Sequence, residues 1–436
     1  MRVLHVVHFY PPFSIGGTEV YTRNLARTLS RSCTVEIFCT VPSGATLDTE
    51  RHNGIRCTAI QKDVATFGMP FHEVNGSVET IFAETLNRFN PDIIHFHHLM
   101  NLSLRLPLIA RAYKIPSCYT LHDFWLVCPR AFLLDINLRH CAEQRAQHCC
   151  TCFHQNMRLY TIAAHSPGIG SVLKQFAKKT LNGWEKLRYL FALGPWRHFY
   201  VQRIMHVIDC FIAPSRFIQQ QYERFGISSS KIVFIPHGIP HPCTASTQKT
   251  VANPPRFLYI GSLHLHKGIT TLIDAFNLID TPCTLSIYGT GRPHVVENLR
   301  SRCHNNNVRF FGMLPEDEKQ RVFGESDALI VPSLCYENLP LVVLEAFAAR
   351  VPVIASNHGG LAEIVHDGIN GCTFTAGDPQ SLAAVIRRCI EHPDLLAQWS
   401  EGIQPVNDME THAQEIAALY EALLVKSHTG KMHCFP

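Results

Sequence analysis

Short apolar runs alternate with helical patterns along most of the chain. The first run, Arg2 to His8, is followed by a Pro/Gly loop and then by apolar positions at helical spacing from about Thr18 to Ser30. Such alternation predicts strands joined by helices, and therefore a parallel, doubly wound α/β sheet. The predicted strands of the first half are Arg2 to His8, Thr34 to Thr40, Ile93 to His98, Pro116 to His122, Cys210 to Pro214 and Ile232 to Pro236.

A loop rich in Pro, Thr, Ser and Asn, from Pro240 to Pro255, interrupts this pattern, and the alternation resumes at Phe257. The chain has 436 residues, which is more than one hydrophobic core usually serves. We therefore predict two Rossmann-like domains facing across a cleft. The domain assignments are residues 1–245 with an insertion at 124–206, residues 254–405, and a helix at 410–426 that packs back on the first domain.

Composition and charge narrow the class of protein. Apolar residues make up 46% of the chain and charged residues 17%, which is ordinary for a globular protein. A net charge of +4 over this length argues against nucleic acid as a partner. No apolar window reaches the roughly 18 residues of a membrane span, and the N-terminus reads as a strand rather than a signal peptide. The expected location is cytoplasmic, with most of the 17 cysteines reduced.

Two glutamates flank a predicted helix start in the segment SLCYENLPLVVLEAFA. Glu337 lies in the loop, Pro340 in the predicted first turn and Glu345 inside the helix. The helix rise separates the two carboxyl groups too far for one acid–base dyad. The helix N-terminus between them favours a phosphate or diphosphate. The alternative from spacing alone is a solvated acidic loop followed by a helix-surface glutamate.

Seven motifs occur in one order between Gly16 and Val365: GGTE, TLHD, IPHGI, GSLHLHKG, IYGTG, the YENLPLVVLEA segment with its Glu-x7-Glu pattern, and NHGGLAEIV. Together they resemble the glycosyltransferases of family 4, which have the two-domain GT-B fold. The resemblance implies that Glu337 contacts the transferred sugar and that Glu345 contacts the ribose. It also implies that Lys267 contacts the donor diphosphate, whereas Ser262 stands where many members have a second phosphate-binding residue, an arginine.

The resemblance assigns further residues to the donor. Gly16 and Gly17 resemble the glycine-rich loop near the phosphates, although a plain tight turn would also explain them. His122 matches a histidine beside the reacting sugar, against the alternative of a satisfied buried histidine. The residues that are expected to surround the diphosphate between the two glutamates are Asn338, Leu339, Pro340 and Leu341.

The implied reaction is transfer of a sugar, with retention, from a UDP- or GDP-sugar to a glycan or lipid-linked acceptor. Cell-surface polysaccharide or glycoconjugate synthesis would be its setting. No Asp-x-Asp pair follows a predicted strand, so no catalytic Mg²⁺ or Mn²⁺ is expected. A sugar-nucleotide epimerase on the same fold and a non-catalytic relative that binds the donor remain alternatives. A dehydrogenase is disfavoured because no G-x-G-x-x-G follows the first strand.

The insertion carries a group of cysteines. Cys128, Cys141, Cys149 and Cys152, the last two as C-x-x-C, suggest a structural zinc site. The spacing is not that of a standard zinc finger, so free thiols or a disulfide remain open alternatives.

Two other segments of the sequence suggest a function. Residues 171–203 combine seven basic residues with seven aromatic ones and a single acid, which fits either an interfacial helix on an anionic membrane surface or a packed helical cap. In the sequence HFHH, strand alternation places His95 and His97 on one face and His98 on the other. We interpret this segment as a strand end that lines the acceptor site rather than as a metal site.

Overall fold

The computed structural model describes residues 1–45, 54–62, 74–135, 137–141, 197–240 and 251–429. The residues cluster into two compact units. The first contains Met1–Pro214, Gln219–Ile235 and the chain from Ala413 onward, and the second contains Ser215–Ile218 and Pro236–His412. The last helix therefore belongs largely with the first unit.

The first unit contains a seven-stranded sheet in the order β3-β2-β1-β4-β5-β6-β7, in which every pair is parallel. Its strands are β1 (Arg2–Phe9), β2 (Thr34–Pro42), β3 (Arg56–Lys62), β4 (Ile93–Phe96), β5 (Ser117–Thr120), β6 (Cys210–Ala213) and β7 (Ile232–Phe234). The helices before the linker are α1 (Gly17–Leu29), α2 (Gly76–Phe89), α3 (Leu106–Ala112) and α4 (Arg216–Arg224), together with helical residues 197–207.

The second unit contains a six-stranded parallel sheet in the order β10-β9-β8-β11-β12-β13. Its strands are β8 (Arg256–Ile260), β9 (Thr284–Tyr288), β10 (Val308–Gly312), β11 (Ala328–Val331), β12 (Val353–Ser356) and β13 (Gly371–Phe374). The helices are α5 (Ile269–Asn277), α6 (Pro293–Arg302), α7 (Lys319–Gly324), α8 (Leu341–Ala348), α9 (Gly359–Ile364), α10 (Pro379–Glu391) and α11 (Asp394–Gly402), and α12 (Met409–Thr429) ends the described chain.

Both sheets reverse their strand order at the centre, between β1 and β4 and between β8 and β11. The predicted parallel, doubly wound α/β class is therefore confirmed. In such sheets a crevice opens at the carboxyl ends of the two strands where the order reverses, and ligands bind there. The GGTE motif follows β1, HFHH spans the end of β4, and the motifs with Lys267 and Glu337 follow β8 and β11.

Each central strand is buried on both faces, which is why it reads as a continuous apolar run. In β8, Phe257 packs in one core cluster with Phe276 of α5, whereas the adjacent Leu258 packs in another with Val343 and Phe347 of α8. Successive side chains point to opposite faces of a strand, so helices cover both faces of the sheet.

An ion pair joins the amino ends of the central strands in each unit. Arg2 pairs with Asp92 at 3.0 Å, and Arg256 pairs with Asp327 at 3.1 Å. Each aspartate immediately precedes the neighbouring strand and also accepts a hydrogen bond from the backbone N–H of its arginine. The same type of arginine–aspartate ion pair therefore aligns the central strands of both sheets.

The sequence pattern missed two strands, β3 and β13, both of which lie at a sheet edge. β13 has four residues, and β3 has an exposed or half-buried residue at four of its seven positions. Neither contains the long apolar run that marks a central strand. Among the described residues, no helix combines the length and the apolar character that crossing a membrane requires.

Candidate active site

The loops after β8 and β11 are joined to each other in the second unit. The His266 carbonyl accepts hydrogen bonds from the backbone N–H groups of Leu334 and Cys335, at 2.9 and 3.1 Å. Gly268 has φ +70°, and a Cβ there would lie 1.6 Å from the Pro332 carbonyl oxygen. Only glycine allows this approach, so the glycine of the GSLHLHKG motif brings the two loops together.

The junction of these loops places Lys267 on Glu337. The Lys267 ammonium donates to Glu337 Oε1 at 2.7 Å, and the Ser333 hydroxyl donates to the same oxygen at 2.6 Å. Within the described part of the chain, Glu337 Oε2 accepts no hydrogen bond, and the side chain is 14% exposed. The carboxylate is thus held through one oxygen and can offer the other to a ligand.

This pair stays ionised. Burial alone would raise the pKa of Glu337, but the Lys267 charge and the hydrogen bonds from Lys267 and Ser333 outweigh it, so the pKa lies below the usual value. Burial likewise opposes the charge of Lys267, yet Glu337 raises the lysine pKa above its usual value. The neighbouring Cys335 is a neutral thiol, because burial raises its pKa to about 12. Cys335 is therefore not prepared as a nucleophile.

The NHGG motif supports the same loop from the other side. The Gly360 N–H donates to the Glu337 carbonyl at 2.8 Å, and a Cβ on Gly360 would lie 1.5 Å from the Asn338 carbonyl oxygen. Asn338 is buried, and its side-chain oxygen accepts a 2.6 Å hydrogen bond from Ser215. The side chain of Asn338 is thus used to hold the loop.

Helix α8 begins one residue later than predicted, with Pro340 as the residue before its first turn and Leu341 as its first helical residue. No side chain caps this end. A helix N-terminus has backbone N–H groups without intrahelical partners and a partial positive charge, so it can bind an anion. The predicted donor-binding residues from Asn338 to Leu341 therefore form an uncapped helix start directly after Glu337.

Glu345, on α8, pairs with a different cation. Lys319, the first residue of α7, donates to Glu345 Oε1 at 2.8 Å and lies 3.4 Å from Glu316. Burial raises the pKa of Glu345, and Lys319 offsets this only in part. The two glutamates of the Glu-x7-Glu pattern thus have separate partners and opposite pKa shifts.

In the first unit, Gly16 and Gly17 form the start of α1. Neither has a left-handed backbone, so a tight turn is not what requires glycine here. A Cβ on Gly16 would lie 2.5 Å from a carboxylate oxygen of Glu19, whereas one on Gly17 would meet nothing within 4 Å. Glu19 is buried and accepts a hydrogen bond from Ser14 at 2.8 Å. Gly16 therefore leaves room for the Glu19 carboxyl group.

His122 lies two residues beyond the end of β5, and its Nε2 is 3.2 Å from His97 Nδ1. The His95 and His97 rings stack at 4.0 Å, while His98 contacts Asp123 at 3.2 Å, so the prediction that they lie on different faces is confirmed. All three histidines of HFHH are at most 3% exposed. Their side chains are therefore buried, and the interpretation that this strand end lines the acceptor site stays a prediction.

The zinc prediction falls only partly on described residues. Cys128 is buried and Cys141 half-buried, and burial raises the pKa of the Cys128 thiol. Cys149 and Cys152 lie outside the described residues, so the zinc site stays a prediction.

Of the basic segment 171–203, only residues 197–203 are described. Arg197 is buried, with its guanidinium 4.5 Å from the Trp125 ring centroid and donating to the Trp125 carbonyl. Arg203 and Phe199 are exposed, and the Arg203 guanidinium lies 5.3 Å from the Phe199 ring centroid. Arg197 thus belongs to the interior rather than to a basic outer face.

Sequence reasoning missed three side chains of the second unit. Ser333 and Lys319 hold the two glutamates, and His358 donates from Nε2 to the Ser333 carbonyl at 2.9 Å. Ser333 could have been found, because it lies two residues after the end of β11. Lys319 lies 26 residues from Glu345 on another helix, and no spacing rule joins the two.

Comparison with known families agrees with this geometry. A family model described as "Glycosyl transferase 4-like domain" matches residues 16–238, and a second, "Glycosyl transferases group 1", matches residues 254–392. The first match alone covers more than half of the chain. The first match spans the strands of the first sheet from β2 onward, and the second spans the strands of the second sheet.

Individual relatives give the same result. The chain is 28% identical to a glycogen synthase of Mycobacterium tuberculosis over 90% of this chain and 87% of that protein, and 27% identical to the amylovoran biosynthesis glycosyltransferase AmsK of Erwinia amylovora over 44% and 48%. Among solved structures, it resembles sucrose-phosphate synthase from Thermosynechococcus elongatus with a TM-score of 0.68 at 19% identity, over 97% of this chain and 99% of that one. Anabaena HepE in complex with UDP-glucose aligns with a TM-score of 0.65 at 19% identity, over 97% and 100%. The chain belongs to the group 1, family 4 glycosyltransferases and is a glycosyltransferase with the GT-B fold.

Proposed function

We propose that this glycosyltransferase moves a sugar from a nucleotide diphosphate donor to a glycan or lipid-linked acceptor with retention of configuration. The acceptor oxygen forms a bond to the anomeric carbon on the face from which the diphosphate leaves. The bond between that carbon and the phosphate oxygen breaks, and the acceptor proton passes to the leaving phosphate. No protein nucleophile is needed, so the chain supplies position and electrostatic stabilisation.

The observation that carries this proposal is the Lys267–Glu337 pair beside the uncapped start of α8. Glu337 is held through Oε1, so Oε2 is the oxygen that would accept from sugar hydroxyls. Lys267 is 30% exposed despite its ion pair, and its ammonium can also donate to a phosphate. The helix N-terminus adds a second, fixed positive end for the diphosphate.

The remaining predicted residues take the other parts of the donor. Glu345 would accept from the ribose hydroxyls, and His122 would hydrogen-bond the reacting sugar. Gly16 and Gly17 would allow close approach of the donor phosphates. HepE, a structural neighbour, was solved with UDP and with UDP-glucose, which supports a nucleotide sugar as the donor class.

The acceptor proposal rests on the relatives' names, which refer to glycogen and amylovoran. A lipid-linked acceptor would place the protein at the cytoplasmic face of a membrane, with residues 171–203 on anionic lipid. Exposed Phe199 beside Arg203 supports this, because an apolar ring next to a cation suits a headgroup surface. Flotation with anionic vesicles tests it: the wild type should float, Phe199→Ser should float less, and no flotation of the wild type would contradict it.

The donor proposal is tested by screening UDP-, GDP- and ADP-sugars for binding and for slow hydrolysis. We expect one nucleotide to bind with a Kd on the order of micromolar to millimolar. Glu337→Gln should bind the matching nucleoside diphosphate almost normally but lose sugar discrimination and turnover, because it keeps the shape and loses the charge. Product analysis with and without acceptor separates transfer from epimerisation, and an epimer formed without acceptor would contradict the proposal.

A further inference from the structure

Four histidines lie together in the first unit, on β1, on β4 and in the residues that follow β4 and β5. His5, His95 and His97 are wholly buried, and His122 follows β5. His5 Nδ1 lies 2.9 Å from His97 Nε2, and His97 Nδ1 lies 3.2 Å from His122 Nε2. Three imidazoles thus form a chain of two hydrogen bonds, in which each bond holds one proton.

A shared metal ion is the first alternative, because the nitrogens of His5, His95 and His97 lie within 4.8 Å of one another. Both nitrogens of His95 are already engaged, with the Tyr420 hydroxyl at 2.6 Å and the Thr120 hydroxyl at 2.7 Å. The rings of His95 and His97 are also stacked, with an interplanar angle of 28°. Stacked rings direct their lone pairs along parallel planes rather than towards one ion, so the hydrogen-bonded chain fits better.

His5, at the end of this series of hydrogen-bonded imidazoles, determines which nitrogens carry the protons. Within the described part of the protein, His5 Nε2 is buried without a hydrogen-bond partner. A buried N–H without an acceptor is rarer in proteins than an acceptor without a donor. His5 therefore carries its proton on Nδ1 and donates it to His97 Nε2. Burial also lowers the pKa of His5 to about 3, so His5 has only this one proton near neutral pH.

The donor of the first hydrogen bond then determines the donor of the second. His97 accepts at Nε2, so as a neutral imidazole it carries its proton on Nδ1 and donates to His122 Nε2. A charged imidazolium at His97 is disfavoured, because the residue is wholly buried between two other imidazoles. His122 accepts at Nε2 and must keep its own proton on Nδ1.

We propose that His97, ordered by His5, is a positioning residue that holds His122 in the Nδ1–H form. His122 then acts towards the reacting sugar as a hydrogen-bond donor and not as a base. The tautomer follows from the hydrogen-bond chain alone, whereas its consequence for transfer rests on the proposed function. The two parts can therefore fail separately.

The tautomer is read directly from long-range ¹H–¹⁵N spectra of the full chain labelled at histidine, with His122 assigned by its loss in His122→Gln. We expect the Nδ1–H pattern for His122 in the wild type. His97→Asn can still donate from its amide and should keep this pattern, whereas His97→Leu should give a mixture with the Nε2–H form. Protonation of His122 on Nε2 in the wild type would overturn the proposal.

Kinetics test the consequence with the same variants. In His97→Leu, kcat should fall about tenfold with little change in the KM for the donor, and His97→Asn should recover most of that loss. If His97→Leu does not fold, His5→Leu removes the first donor of the chain and should give the same mixture at His122. An unchanged tautomer in a folded His97→Leu protein would overturn the assignment. A wild type that shows the Nδ1–H form but no transfer would count against the proposed function alone.

Discussion

The two sheets are alike at the amino ends of their central strands and different at the carboxyl ends. Each amino end has an arginine paired with the aspartate before the next strand, as Arg2 with Asp92 and Arg256 with Asp327. At the carboxyl ends, the first unit has a chain of imidazoles, and the second unit has the Lys267–Glu337 ion pair. The repeated feature aligns strands, and the differing feature lies where ligands bind in such sheets.

The difference at the carboxyl ends is one of charge. Burial keeps His5 neutral, whereas Lys267 and Glu337 remain ionised because each stabilises the charge of the other. Neutral hydrogen-bond donors suit sugar hydroxyl groups, and fixed charges suit a diphosphate. We therefore expect loss of the Lys267 charge to affect the donor phosphates, and changes to the imidazole chain of the first unit to affect the sugar.

The largest effect is expected from removing the cation of the second unit. Lys267→Ala should lower kcat/KM by about 10³-fold or more, because the diphosphate loses a counter-charge and Glu337 loses the group that holds it. The control is Arg302→Ala, which breaks the exposed pair with Asp274 in the same unit and should leave turnover nearly unchanged. Near-normal transfer by Lys267→Ala would contradict the charge assignment.

The two amino-end ion pairs should contribute differently to the free energy of unfolding, despite their similar geometry. Asp327 is wholly buried and accepts hydrogen bonds from Ala252 and Arg256, so Asp327→Asn should destabilise its unit by about 3 kcal/mol. The Asp92 side chain is 34% exposed, so Asp92→Asn should cost about 1 kcal/mol. Urea unfolding of both variants measures the change in the free energy of unfolding. Equal changes would show that the difference in burial does not make the two ion pairs unequal.

The loss of donor affinity at acidic pH should depend on protonation of Glu345. Its pKa is raised by burial, whereas that of Glu337 is lowered, so Glu345 takes up a proton first as the pH falls. A protonated carboxyl group accepts more weakly from ribose hydroxyls, so affinity for the nucleoside diphosphate should fall as the pH is lowered from 7 to 5.

Titration calorimetry across that range measures this loss. Glu345→Gln is the control, since it removes the titrating group and leaves only the protonation of the ligand. The variant should bind more weakly at pH 7 and show a flatter pH curve. Curves of the same shape in both proteins would assign the loss of affinity to the ligand.

The smallest effect is expected at Arg292. The backbone N–H of Leu263 donates to the Thr290 carbonyl at 2.8 Å, which joins the loop after β9 to the loop that carries Lys267. The pKa of His264 is lowered by burial and then by the charges of Arg292 and Lys267, so both cations act on one imidazole. Arg292→Ala should weaken nucleoside diphosphate binding about threefold at low salt, and the difference should vanish at high salt.

Arg300→Ala is the matched control, because Arg300 lies on α6, the helix that Arg292 directly precedes, with its guanidinium 5.0 Å from the Phe310 ring centroid. It should bind the nucleoside diphosphate like the wild type at both salt concentrations. An Arg292→Ala protein that also binds like the wild type at low salt would show that Lys267 and the helix start suffice for the diphosphate.

Much of the fold could be predicted, because central strands of a parallel sheet are buried on both faces and appear as apolar runs such as VLHVV and ALIV. The edge strands β3 and β13 could not be found in this way, since neither has such a run. In the candidate site, Lys267 and Glu337 were found because they belong to motifs at strand ends. Their direct contact was not predicted, because 70 residues separate them along the chain.

The sequence by itself determined what depends on near neighbours: the alternation of strands and helices, and the residues that follow each strand. Tertiary structure decided which of those residues meet and how deeply each is buried. Burial and partners together set the charge of an ionisable group, which is why Glu337 and Glu345 have opposite pKa shifts although they share one motif. The same holds for His122, whose hydrogen-bonding role depends on His97, a residue of a neighbouring strand end.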